Sequence, residues 1–189
     1  MNTEQPAEPG FAEDQTDGRP PGDWKTRYTE PEAKKAIRTE ALYLGLLLAV
    51  FSVSLFLVLL EKPQDWLHLS GDTLKYFNMS VGAWVAGTLG GTVNSIKWLY
   101  HKVAHNFWNV DRRLWRVFTP HISGALALIV ILTVSSGLFS VFDPDSTDKL
   151  TFVIALGFLT GYFSDSAVGK LTDIAMIIFG GSKGHGKKG

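Results

Sequence analysis

The 189-residue chain contains no cysteine. That excludes disulfides, thiolate nucleophiles and cysteine-ligated zinc or iron–sulfur centres, and it leaves the redox compartment open. No Gly-rich phosphate loop stands before a strand pattern, and H-E-x-x-H does not occur. No catalytic constellation emerges, so the expectation is a protein that is not an enzyme and holds no cofactor and no metal. Net charge is missing as well, because 18 basic side chains face 18 acidic ones. The amino terminus is acidic and the first apolar run begins only at Ala41, which does not fit a cleaved secretory leader.

Charge and hydropathy are nevertheless unevenly spread. Residues 1–23 carry six acids against Arg19 alone, whereas the last seven residues carry three lysines and a histidine among glycines. Apolar blocks between charged ends point to a membrane protein with soluble tails. Segment 41–60, ALYLGLLLAVFSVSLFLVLL, is twenty residues without a charge, and about 20 suffice to cross hydrocarbon. Segment 121–142 is a second span of the same kind. Segment 76–97 is apolar but rich in Gly, Ser and Thr, a composition suited to other helices rather than to lipid. Segment 150–165 is short for a full crossing and could be re-entrant; VGKLTDIAMIIF follows and can extend the same helix, which favours a full span.

The connections alternate in basic content. The stretch before span one holds Lys25, Arg27, Lys34, Lys35 and Arg38, and the 61–75 connection holds two lysines against three acids. Between spans two and three stand Lys97, Lys102, Arg112, Arg113 and Arg116 against Asp111 alone, and 143–149 has one lysine against three aspartates. The positive-inside rule then places both termini and the 97–120 connection in the cytoplasm. The expected fold is an all-α integral membrane protein of four transmembrane helices over 31–182, N-in and C-in. A disordered acidic leader (1–30) precedes it, and a flexible basic tail (183–189) follows a C-terminal helix at 166–179.

Residues 101–118 sort by face on an ideal helix. Val103, Phe107, Val110, Leu114, Val117 and Phe118 share an arc bordered by Ala104, Trp108 and Trp115; His101, Lys102, His105, Asn109, Arg112, Arg113 and Arg116 lie opposite. This spacing predicts an amphipathic cytoplasmic helix on the inner leaflet. Its basic face could touch anionic lipid head groups, at about 1 kcal/mol per cation. It could equally hold a nucleotide or single-stranded nucleic acid, with guanidinium groups on phosphate and indoles stacked on bases. The anion-binding set is then Lys102, His105, Arg112, Arg113, Arg116, Trp108 and Trp115. Asp111 falls in the apolar arc, either capping a second short helix that begins at Arg112 after a break near Asn109, or pairing as a buried carboxylate with a cation of another span or subunit. His101 and His105 have zinc-compatible spacing but no third ligand nearby.

Span two carries small-residue rows that include Gly82, Gly87 and Gly91, and span four carries Gly157 and Gly161. They serve helix packing within one chain, or a subunit interface around an axis. Thr88, Thr92 and Ser95, with Asn94 beside them, either line a wet pathway or bond back to their own helix. Asp165 either sits at the start of the terminal helix or joins a ring that favours cations in a pore. The acidic leader could occupy the basic patch or plug an opening.

The run G-x-x-G-G…WLYHKVAHNFWNVDRRLWRVFTPHISG, followed by SSGLF…FLTGYFSDSAVGKL, resembles small four-span bacterial inner-membrane proteins. It is also similar to the membrane effectors of two-gene, Hailong-type antiphage systems. That resemblance implies an oligomeric pore whose cytoplasmic basic face takes an oligonucleotide signal from a nucleotidyltransferase-like partner protein. It also implies that Arg112, Arg113 and Arg116, with Trp108 and Trp115, hold the anion. The combined expectation is a homo-oligomeric channel in the lipid bilayer gated by an anionic ligand, its rival a non-conducting anchor that recruits a cytoplasmic partner.

Overall fold

The computed structural model describes residues 25–62, 67–68, 70–136 and 149–179. The expected leader up to residue 24, the 137–142 end of the third expected span, the 143–148 connection and the 183–189 tail lie outside the described residues. Five helices are seen among the described residues, with no strand: α1 (Pro31–Leu59), α2 (Gly71–Ala104), α3 (Arg113–Ser135), α4 (Leu150–Tyr162) and α5 (Ser164–Phe179).

Proline opens α1, where a missing N–H costs nothing, and Glu32 in the first turn favours the positive end of the helix dipole. α1 and α3 are long and apolar enough to cross a membrane, and the α4–α5 pair supplies a third if counted as one span. That pair is bent by 98°. The single continuous helix expected beyond span four is therefore corrected. Phe163 leaves helical geometry (φ −104°, ψ 36°), and Ser164, Asp165 and Ser166 restart the helix. Short polar side chains favour helix starts, and an acid in the first turn favours the new dipole.

The amphipathic helix expected over 101–118 is corrected as well. α2 ends at Ala104 and α3 begins at Arg113. Asn106 takes a left-handed conformation (φ 60°). Its N–H bonds to the Val103 carbonyl, and that of Phe107 to the Lys102 carbonyl. This is a Schellman ending with asparagine in place of glycine. Asp111 is exposed, and the start of α3 has no side-chain cap. Neither expected role of Asp111 is seen.

α2 runs through the middle, packed against α1, α3 and α4, and α3 also meets α4. Contacts at the two ends fix the directions. Leu44 of α1 clusters with Leu99 of α2, while Val58 lies near Gly82. Ala127 of α3 meets Gly87 and Ser123 meets Gly91; Gly157 of α4 meets Ala83 and Gly161 meets Gly87. From α1 to α4, successive helices therefore alternate in direction.

The expected packing glycines lie at these seams inside one chain. A side chain on Gly161 would run into the backbone of Gly87, and one on Gly91 into Ser123 and Pro120. Gly82 faces the Leu150 side chain. The outside is the reverse of a water-soluble protein. Buried positions include Thr88, Thr92, Ser95, Ser123 and Thr160, whereas Leu42, Leu46, Val53, Phe56, Ile122 and Leu132 are exposed. Only 11% of the most apolar stretch of α1 is buried. Such a surface suits lipid, where small residues and close contact, rather than apolar area, drive helix association.

Gly161→Val should lower stability in detergent by about 1–3 kcal/mol, the usual cost of overpacking, read from chemical denaturation. Gly45→Ala, where a methyl group meets open space, should leave stability the same or raise it by about 0.5–1 kcal/mol.

Candidate anion-binding groove

The start of α1, the end of α2, the 105–112 turn and the start of α3 meet at one end of the bundle. Their junction is built around Glu40, one residue before the uncharged run of α1. Its carboxylate is 1% exposed and accepts from Arg116 Nε, from Arg116 Nη2 at 3.1 Å and from Trp108 Nε1 at 3.0 Å. Arg116 is 2% exposed. Buried ions need both a counter-ion and hydrogen bonds, and this pair has both.

Tyr28, just ahead of α1, closes the same junction. Its hydroxyl donates to the Lys102 carbonyl at 3.4 Å and accepts from the Trp108 amide at 3.2 Å. Its ring meets the Trp108 indole edge-on, with centroids 6.1 Å apart. The turn between α2 and α3 is thus tied to α1 by side chains on both sides of the indole. One helical turn further along, Tyr43 Oη lies 2.8 Å from His121 Nε2.

Beside this junction lies a groove of about 380 Å³ lined by Trp98, Lys102, Arg112, Trp115 and Arg116. Lys102 Nζ sits 5.2 Å from the Trp98 ring centroid and 5.7 Å from that of Phe107. Both distances lie within cation–π range, so the ammonium is held over aromatic faces rather than by a carboxylate. Three cations and two indoles around one opening can receive an anion with a flat ring attached.

The structure divides the expected anion-binding set. Lys102, Arg112, Arg116 and Trp115 share the groove, and Trp98 joins them. Trp108 is buried and donates to Glu40, so its ring is not a free stacking surface. His105 is half-buried, stacked in parallel with His101 at 6.3 Å, and Arg113 is half-buried at the first position of α3; neither lines the groove. Glu40, Tyr28 and Trp98 escaped sequence reasoning. The available signal was a lone acid directly abutting an apolar run, where an unpaired carboxylate is expensive.

The expected intramembrane polar set is placed differently. Thr88 and Thr92 have no exposed surface and donate back along α2, to the Trp84 carbonyl at 2.8 Å and the Thr88 carbonyl at 2.7 Å. Of the two alternatives weighed, this is back-bonding, with the hydroxyls sealed in the seams. Ser95 Oγ is buried with no hydrogen-bond partner among the described residues, and Asn94 is half-buried. Asp165 is exposed in the first turn of α5. Next to that bend, Lys97 Nζ donates to the Tyr162 hydroxyl at 3.2 Å.

Removing one partner of a buried pair strands the other charge. Glu40→Ala should therefore cost about 3–5 kcal/mol of folding stability. Trp108→Phe, which deletes one hydrogen bond to a carboxylate, should cost about 1.5–3 kcal/mol. Denaturant titrations of both variants in detergent check the order.

Comparison with known protein families, with curated proteins and with solved structures finds no match to this chain, so a function has to rest on the chemistry of the groove itself.

Proposed function

We propose that the chain is a multi-pass protein of a bacterial inner membrane that acts as a homo-oligomeric pore-forming effector, gated by an anionic ligand in the groove. The observation that carries the reading is the convergence of Lys102, Arg112 and Arg116 with Trp98 and Trp115 around a single opening. Guanidinium groups grip phosphate through paired hydrogen bonds, and indoles offer stacking faces to bases. The ligand is a nucleotide or oligonucleotide, supplied by a nucleotidyltransferase-like partner, with antiphage defence as the setting.

The membrane arrangement in this reading has four spans, α1, α2, α3 and the α4 limb, with both termini and the 105–112 turn in the cytoplasm. The alternating basic content of the connections supports it, as does the alternating direction of the helices. α2 tolerates its Gly, Ser and Thr content because α1, α3 and α4 shield it. Since Thr88 and Thr92 are sealed inside one chain, ions would pass between copies. Asp165, exposed where α5 begins, would repeat around the axis and favour cations. The same sealed hydroxyls also favour a second reading, in which the protein does not conduct and anchors a cytoplasmic partner through the groove.

Three measurements test this. A fluorescein-labelled single-stranded oligodeoxynucleotide should bind wild type in phosphatidylcholine nanodiscs with log K falling as log salt rises. Lys102→Glu with Arg112→Glu should abolish that binding. Inhibition of binding in phosphatidylglycerol nanodiscs, with none of the oligonucleotide's stacking signal, would assign the groove to lipid head groups instead. In liposomes, ion flux should change when oligonucleotide is added on the groove side, and Asp165→Ala should reduce cation preference. Binding without flux under any condition selects the anchor. A single His105→Cys label, free of background in a cysteine-free chain, should react only from the cytoplasmic side.

A further inference from the structure

Arg116 occupies two roles at once. It lines the groove, yet two of its donors are committed to Glu40 of α1. A guanidinium has five N–H donors, so part of it still faces the opening. On this basis, and resting on the reading of the groove as an anion site, we infer that the Glu40 carboxylate is the groove's resident anion. It competes with an incoming phosphate for Arg116, and its displacement frees the amino-terminal limb of α1.

The argument is electrostatic and geometric. A phosphodiester presents two oxygens and one negative charge, as a carboxylate does, and a terminal phosphate presents three oxygens and more charge; either can bind a guanidinium in the same bidentate manner. Once phosphate takes Arg116, Glu40 would remain as a buried anion with the Trp108 N–H as its one remaining donor among those seen here. An uncompensated buried carboxylate is unstable, so it must reach water. Glu40 can do so only if the start of α1 separates from the 105–112 turn and α3. The separation breaks the packing of Tyr28, Ala33, Ala36 and Ile37 around Leu99 and Trp108, whereas the apolar stretch of α1 beyond is little buried and adds little resistance. Ligand binding and the α1–α3 pair then exclude each other, and by linkage whatever tightens one weakens the other.

This gives Glu40 a sign that a positioning residue would not have. A residue that merely orients Arg116 for the ligand would weaken binding when neutralised; a competitor would strengthen it. Glu40→Gln keeps the side-chain volume and an acceptor for Trp108 Nε1 but not the negative charge. In phosphatidylcholine nanodiscs, Glu40→Gln should bind the fluorescent oligodeoxynucleotide more tightly than wild type, on the order of tenfold, and inorganic tripolyphosphate should displace it from both. Equal or weaker binding by the variant, with wild type binding, overturns the competition and leaves the groove reading standing. Absence of binding by both proteins overturns both.

A second measurement uses the native pair and so does not depend on how the variant folds. Spin labels on Arg38→Cys and Asn109→Cys, both exposed positions, report the distance between α1 and the turn. Saturating oligodeoxynucleotide should lengthen that distance, and an unchanged distance in the bound protein overturns the inference.

Discussion

One carboxylate, Glu40, and one guanidinium, Arg116, meet almost wholly out of water at the edge of the groove, and the charged end of the molecule is organised around them. Burying such a pair is not a cheap route to stability, since the desolvation of both ions offsets most of their attraction, and an apolar pair would often serve as well. What the pair provides is register. α1 is an apolar rod of which little of the apolar stretch is buried against its neighbours, so packing along that stretch distinguishes weakly between neighbouring rotations about its axis. A carboxylate that must find one guanidinium and one indole N–H selects a single rotation. Tyr28 then fastens the turn to the same place through the Trp108 amide.

The remainder of the bundle follows a different rule. Its seams are lined by Gly87, Gly91, Gly157 and Gly161 with Ser123, Thr88 and Thr92, and its outer surface by leucine, valine, isoleucine and phenylalanine. In water that distribution would be unstable, because the apolar area would stay hydrated while hydroxyls were buried for little gain. In lipid, apolar side chains gain nothing by leaving the surface, and close backbone approach supplies the packing. The back-bonded threonines satisfy their hydroxyl protons within α2, so Thr88 Oγ1 can lie against α3 at Gly124, where the helices come close.

Much of this was legible in the sequence, and the parts that were not share a cause. α1 and α3 stand out by length and apolarity, and the glycine rows of α2 and α4 reveal where helices come close. The break after α2 was readable too. A break was expected near Asn109 and falls three residues earlier, at Asn106, one of three Asn or Asp residues in HKVAHNFWNVDRR that tolerate the left-handed conformation; the 3.6-residue period of the flanking residues concealed its place. Periodicity describes what a segment could do alone. It cannot register that Trp108 is pulled inward by a glutamate 68 positions away or that Arg116 is held by one 76 positions away. The bend at Phe163 was hidden for the same reason: hydropathy is continuous across LTGYFSDSAVGKL, while direction is set by backbone angles at one residue.

The groove's electrostatics also differ from the sum of its charges. Seven residues were expected to form a broad basic face. Of its cations, Arg116 is neutralised by Glu40, Arg113 is turned aside, and Lys102 and Arg112 remain without a carboxylate partner among the described residues. Near a membrane each such cation contributes about 1 kcal/mol, so on the proposed reading one groove would hold a single phosphate only weakly. Strong binding then requires either the release of Arg116, which adds a third cation and a bidentate geometry, or several grooves engaging one extended polyanion, where effective concentration multiplies modest contacts. The two routes are not independent. A polyanion that bridges copies raises the local phosphate concentration at every groove, which favours displacement of Glu40 in each of them. On the proposed reading, a weak, internally blocked site repeated around an axis would therefore respond steeply to long polyanions and hardly at all to free phosphate.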